Sequence, residues 1–229
     1  MSLVKGVYWS TRDLDFPLAV AGNHHFILLV ADASDFRYMG LPARNEKHGD
    51  KTTYFYTLGA TRGEDGSKDG RLVTDFDNDA DVKSVRELLD PDEHTSWWQP
   101  DFDLSAKLVS SDINMIRRAA LRAVYYKQRE EQNISSLPMY NVSDENCAAW
   151  VNTLLKSLSV SKQDRERLGD QFGVDWGELD EIDTNLFAKD WYVSYGGKTG
   201  WEKLNTSSAR VDELAFGDFN GDKKTDIFR

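Results

Sequence analysis

A single cysteine, Cys147, supplies all the thiol chemistry of this 229-residue chain. That excludes an internal disulfide and any zinc site built from several cysteines, and it leaves the redox compartment open. Basic residues are also scarce: 28 Lys+Arg stand against 39 Asp+Glu, giving a net charge of -11. A partner held by neutralising phosphates needs a clustered basic face, so nucleic acid is excluded as the main ligand. Long apolar runs are missing too. The longest, Phe26 to Ala31, has six residues, whereas a membrane-spanning helix needs about 20, so no span is expected. The first 20 residues carry Arg12, Asp13 and Asp15 in place of the apolar core of a secretion signal, so no export address is expected from the chain as it stands. What is present is an ordinary globular composition with 40% hydrophobic residues. A chain of this length accommodates one main domain and a smaller unit.

Residues 4–60 read mainly as strands. VKGVYWS alternates, HFILLVA is a buried apolar run, and TTYFYTLGA is rich in β-branched and aromatic residues. One antiparallel sheet is expected, with a polar loop from Pro42 to Lys51 and an exposed connection over ATRGEDGSKDG. Beyond residue 80 the period changes to that of helices. Val82, Val85, Leu88 and Leu89 form one stripe, and Ile113, Ile116, Ala120 and Val124 another within residues 112–131. Ser143, Asp144 and Glu145 offer a capping oxygen and first-turn carboxylates, so a helix is predicted to begin near 143–146 with Cys147 in its first turns. Residues 161–183 read as two short helical pieces split at Gly173.

Past Asn185 the texture becomes short alternating strands around glycine turns, WYVSYGGKTGWEKLN and then ELAFGDFNGDKKTDIFR. The fold class is therefore α+β, an antiparallel sheet packed against helices over residues 1–183, followed by a small all-β unit over 184–229. An acidic run, Asp75, Asp77, Asp79 and Asp81, lacks a glycine turn and leads into a helix, so it reads as a solvated loop and N-cap rather than a metal site. Trp97 and Trp98 beside Pro100 suit either a groove or a packing surface.

A nucleophilic thiol needs a lowered pKa and a nearby base, and a helix N-terminus favours the thiolate. Cys147 stands where that works, although it also shares a stripe with Val151, Leu154 and Leu158 and so fits equally as a small core residue. His24 and His25 open an apolar strand and point to opposite faces, so only one ring shares a face with Ile27 and Leu29.

Taken together, a histidine entering an apolar strand (GNHHFILLVAD), a second strand (YFYTLGA) and a helix opening on Asn-Cys with an aromatic after it (NCAAWVNTLL) resemble the circularly permuted papain-like cysteine hydrolases, the lecithin:retinol acyltransferase type among them. The resemblance covers roughly residues 4–160. It implies Cys147 as nucleophile and His25 as base, because the family's histidine precedes an aromatic or small residue and then aliphatics, as in His25-Phe26-Ile27-Leu28. It also implies a third polar group on the next strand to orient the imidazole. There the chain offers only Thr57, with Tyr56 beside it, and Asp32, Asn45 and His48 are looser candidates. For the oxyanion the Cys147 amide is the first donor; Asn141, six residues upstream, is the candidate second, with Asn146 as rival. Either asparagine also suits a turn or cap.

In DFNGDKKTD, Asp218, Asn220, Asp222 and Asp226 occupy positions 1, 3, 5 and 9, with the Lys224 carbonyl at 7. Closely spaced oxygens of this kind suit a hard cation, so calcium is expected. Position 6 is Lys223 and position 12 Arg229, which excludes an EF-hand. The segment from about 186 to 229 resembles one FG-GAP or VCBS repeat. That implies an extracellular or cell-surface setting, and further repeats or another protein surface as a packing partner. Two functions follow from the whole. One is a thiol-dependent peptidase or amidase, or an acyltransferase if the acceptor is not water, acting on a peptide, amide or ester through an acyl-enzyme. The alternative is a catalytically inactive, calcium-stabilised binding or adhesion module.

Overall fold

A computed structural model describes residues 3–13, 23–64, 66–90, 104–132, 137–140 and 146–170, together with four short strands at 189–193, 202–207, 215–217 and 226–228. The chain divides into two compact units, Met1–Ile182 and Asp183–Arg229.

The first unit is α+β. Its elements are β1 (Gly6–Asp13), β2 (Asn23–Ala31), α1 (Ala33–Met39), β3 (Arg44–His48), β4 (Lys51–Arg62), β5 (Leu72–Phe76), α2 (Asp79–Leu89), β6 (Ser105–Ser110), α3 (Ile113–Gln132), α4 (Cys147–Ser157) and α5 (Lys162–Asp170). The six strands form one antiparallel sheet in the order β3-β4-β2-β1-β6, with β5 also paired to β4. The three strands read from the sequence form its centre.

The segment from Pro42 to Lys51, expected as a polar loop, contains β3 instead. Its sequence RNEKH has no apolar alternation to reveal it. It is an edge strand held by the ladder to β4 and by ion pairs of Glu46 with Arg86 and His48 with Asp90, both 3.3 Å. Charged side chains suit a strand whose outer edge is open.

Alternation along β2 sends His24, Phe26, Leu28 and Val30 to one face and His25, Ile27 and Leu29 to the other. On the first face Phe26, Leu28 and Val30 join Leu3, Tyr8 and Phe55 and bury against Val82, Val85 and Leu89 of α2. Helices α3 and α4 cover sheet residues on the other side, where Trp150 Nε1 donates to Thr74 Oγ1 of β5 at 3.1 Å. Thr74 in turn holds Glu130 of α3 through its amide, at 2.8 Å, and its hydroxyl. Every residue of α4 from Cys147 to Leu155 is buried. That explains why its sequence is apolar nearly all round, as a core helix must be.

One departure from a regular sheet creates the site. β4 pairs with β2 only as far as Phe26↔Gly59, while its other edge pairs with β5 from Leu58↔Phe76 to Arg62↔Leu72. β2 continues back to Asn23 paired only with β1, through Thr11↔His25 and Arg12↔His24. The start of β2 therefore has an edge without a β4 partner.

In the second unit β7 (Lys189–Val193) pairs with β8 (Glu202–Ser207), and β9 (Ala215–Gly217) with β10 (Asp226–Phe228). Asp218, Asn220, Asp222 and Lys224 lie outside the described residues, as do Asn141, Trp97, Trp98, Gly173 and the segment 143–145.

Candidate active site

The α4 N-terminus fills the opening between β2 and β4. Its cap is Asn146, whose Oδ1 accepts from the amides of Ala148 and Ala149 at 2.9 and 3.1 Å. That places Cys147 at the first helical position, where orphan amides and the helix dipole favour an anion. Asn146, the rival oxyanion donor, thus spends its carbonyl oxygen on the helix start, in keeping with its alternative reading as a cap. Such a cap is worth about 0.5–2 kcal/mol.

Cys147 lies close to His25, and the contact is made by backbone: the His25 amide, left without a β4 partner, donates to Cys147 Sγ at 3.3 Å. The His25 ring points elsewhere. Its Nδ1 accepts from Trp9 Nε1 at 3.1 Å, with the two rings edge-on and their centroids 5.9 Å apart. Because that nitrogen must keep a lone pair, this imidazole is held neutral. Burial, and then the charge on His24, push its pKa down to about 3.

The ring hydrogen-bonded to the sulfur belongs to His24. On its far side His24 Nε2 faces Asp81 Oδ2 at 3.4 Å, and Asp81 Oδ1 accepts from Arg12 Nε at 2.7 Å. Burial alone would lower the His24 pKa, but the Cys147 charge and the Asp81 carboxylate outweigh it and raise the value to about 10. Cys147 responds in the opposite sense. Burial pushes the thiol up, yet the His24 charge, its hydrogen bond and the amides of His25 and Ala148 bring the net value below that of an ordinary cysteine. Each group thus favours charge on the other, the thiolate on Cys147 and the imidazolium on His24.

Tyr140 completes the cluster. Residues 137–140 run alongside the start of β5, with the Leu72 amide donating to Pro138 O at 2.9 Å and the Tyr140 amide to Gly70 O at 2.7 Å. This anchored segment hydrogen-bonds the Tyr140 hydroxyl to Cys147, and burial together with the nearby thiolate pushes the phenol up to about 12. A phenol in that state is a committed donor.

The third group expected on the neighbouring strand is not where the sequence reading put it. Thr57 is buried on β4, but its Oγ1 finds no hydrogen-bond partner among the described residues. Asp32 pairs with Lys5 at 3.0 Å, His48 with Asp90, and Asn45 lies on the edge strand β3. The carboxylate beside the imidazole is Asp81, read from sequence as part of a solvated run. Of its neighbours, Asp75 accepts from Asn78, which caps α2, Asp79 is exposed, and Asp77 is itself largely buried and pairs with Arg44. Asp81 instead is 1% exposed. The sequence did carry a signal, since Asp81 stands four residues before Val85 and eight before Leu89, on the apolar stripe of α2. Arg12, opposite His24 in the β1–β2 register, follows Tyr8 and Ser10 on the same strand face. Tyr140 had no comparable signal, because its reach to Cys147 depends on the long-range pairing of residues 137–140 with β5.

No helix among the described residues is long and apolar enough to cross a membrane. No family model matches the chain, and no curated protein or solved structure is similar to it.

Proposed function

We propose that the chain is a thiol-dependent hydrolase of amides or esters, built on a permuted papain-like plan, in which His24 rather than His25 partners Cys147. The observation that carries this reading is the His24 imidazole set between the Cys147 sulfur and the Asp81 carboxylate at a helix N-terminus. The chain order, histidine strand before cysteine helix, supports the permuted plan.

The imidazole turns Nε2 to Asp81 and is hydrogen-bonded to the sulfur. The Cys147 thiolate attacks the substrate carbonyl, forming the C–S bond as the carbonyl π pair moves onto oxygen. The Cys147 amide and the Tyr140 hydroxyl stabilise that oxyanion. Collapse of the tetrahedral intermediate expels the amine or alcohol, which takes the proton from His24. A water molecule, deprotonated by the now neutral His24, attacks the thioester and releases the acid. Cys147 leaves as thiolate beside the re-formed imidazolium. Asp81 acts through His24 as a positioning residue. Asn141 is retained as a further candidate oxyanion donor.

Mass spectrometry of the chain after exposure to small activated esters and anilides tests this. The expected result is an acyl adduct on the Cys147 peptide, absent from Cys147→Ala and strongly reduced in His24→Ala and Tyr140→Phe. Turnover that survives Cys147→Ala sinks the proposal, and so does a panel that yields neither turnover nor adduct.

For the second unit we propose a calcium loop formed by Asp218, Asn220, Asp222, Asp226 and the Lys224 carbonyl. The observation in its favour is the β9–β10 hairpin, which pairs Gly217 with Asp226 and so brings the two ends of the acidic segment together.

A further inference from the structure

His24 and Arg12 face one another across β1 and β2, and α2 places the Asp81 carboxylate against both. The two oxygens of that carboxylate are divided. Oδ1 takes the Arg12 Nε–H at 2.7 Å, a short and direct contact, while Oδ2 lies 3.4 Å from His24 Nε2. The shorter bond is the one that fixes the carboxylate plane, and the imidazole adjusts to it. All three side chains are at most 11% exposed, so solvent screens little of this arrangement.

We propose that Arg12 is a positioning residue for the thiolate–imidazolium pair: its guanidinium pins Asp81 as an anion with one oxygen presented to His24, so that Arg12, Asp81, His24 and Cys147 act as a single row of alternating charge. This inference rests on the hydrolase reading above. Its physical basis is the cost of leaving a buried carboxylate uncompensated: without the guanidinium on Oδ1, nothing fixes Oδ2 against His24. A displaced Asp81 would no longer favour charge on the neighbouring imidazole, and the thiolate would lose its partner.

A guanidinium suits the task because it cannot give up its proton and its planar fork matches a carboxylate edge. Among the described residues, the charged and titratable groups that face His24 are Asp81 from α2, Arg12 from β1 and Cys147 from α4, with Tyr140, from the segment beside β5, on the far partner Cys147. His25, next to it on β2, stays neutral through its bond from Trp9. Among these groups Arg12 alone reaches the thiolate only through Asp81 and His24, which makes its effect separable.

The experiment measures the rate of Cys147 alkylation by iodoacetamide against pH in the full chain. Arg12→Met is expected to move the acid limb of the profile up by about one pH unit or more, because the Asp81 carboxylate loses the partner that orients it toward His24. Arg12→Lys keeps the charge and loses the fork, so its limb is expected within about half a unit of wild type while the plateau rate falls several-fold. In an Asp81→Asn background Arg12→Met is expected to shift nothing further. If Arg12→Met does not fold, Arg12→Gln serves as the uncharged variant with the same expected shift. An acid limb unmoved by the uncharged variants overturns the inference, as does an equal shift in the Asp81→Asn background. A His24-dependent plateau indifferent to Arg12 overturns this inference alone. A wild-type profile with no His24-dependent plateau overturns the hydrolase reading and this inference with it.

Discussion

The assignment of the base separates two adjacent histidines, and one pair of variants decides between them. In the wild-type chain Cys147 is held as a thiolate by His24, the His25 amide and the helix start. His24→Ala removes the imidazolium and leaves burial as the dominant influence, so the thiol is expected at or above the ordinary cysteine value of about 8.5. At pH 6 such a thiol is about 0.3% ionised, a loss of about 300-fold against a fully formed thiolate. A more basic thiolate is a better nucleophile, with a Brønsted slope of about 0.4–0.5, so part of that loss is returned. The net expectation is alkylation at least about tenfold slower at pH 6, rising about tenfold per pH unit, crossing the wild-type rate between about pH 7 and 8 and levelling off above it once the thiol is ionised. His25→Ala keeps its backbone amide, which is the group that touches the sulfur, so the shape of the profile should survive although stability falls. The assay is the initial rate of iodoacetamide labelling from pH 5 to 9. A profile abolished by His25→Ala and left intact by His24→Ala would refute the reasoning and restore the base role to His25. Slow labelling of the wild-type chain, insensitive to either histidine, would instead favour the inactive binding module.

Two further outcomes are expected. His25, with its pKa lowered to about 3 in the fold, contributes stability that is fully present above its unfolded value near 6.5 and is lost as pH falls from there through about 3. Thermal melts across that window should show an acid-induced loss on the order of a few kcal/mol, and His25→Gln, which can still accept from Trp9 and takes up no proton, should flatten it; an unchanged slope in that variant counts against a neutral buried His25. In the second unit, calcium at 100 times its dissociation constant should stabilise the fold by about 2.7 kcal/mol, read as a rise in Tm that Asp222→Ala removes; no rise at millimolar calcium counts against the loop.

Most of the fold was legible because it rests on local periodicity. The apolar runs of β1, β2 and β4 and the stripes of α2 and α3 are patterns within one element, and burial on one face forces them. β3 was not legible because an edge strand need not bury either face, and RNEKH buries neither. At the site, Cys147 could be placed at a helix start from the capping pattern alone, even though the cap proved to be Asn146 rather than an earlier residue. The choice between His24 and His25 could not. Strand alternation assigns the two rings to opposite faces, but it says nothing about a helix N-terminus that enters at the sheet edge, where a sulfur meets the backbone of one histidine and the ring of the other.

That edge is where chain topology becomes chemistry. Had β4 continued alongside β2 past Gly59, the His25 amide would face a strand partner and Cys147 would have no such donor. The pairing of β4 with β2 ends at Phe26↔Gly59, so the start of β2 keeps an open side, and there the His25 amide donates to Cys147 Sγ. Residues 137–140 lie against the start of β5, which sets the Tyr140 hydroxyl on the sulfur. On the opposite face of the sheet, α2 brings Asp81 to Arg12 and His24 at the matching end of β1 and β2. Cys147, His24, Asp81 and Tyr140 thus come from four separate segments, and each is fixed by pairing or packing that the rest of the domain already requires. On the proposed hydrolase reading such a site is preorganised: its polar groups are partnered before any substrate arrives, and a reacting carbonyl would meet donors that need not reorient.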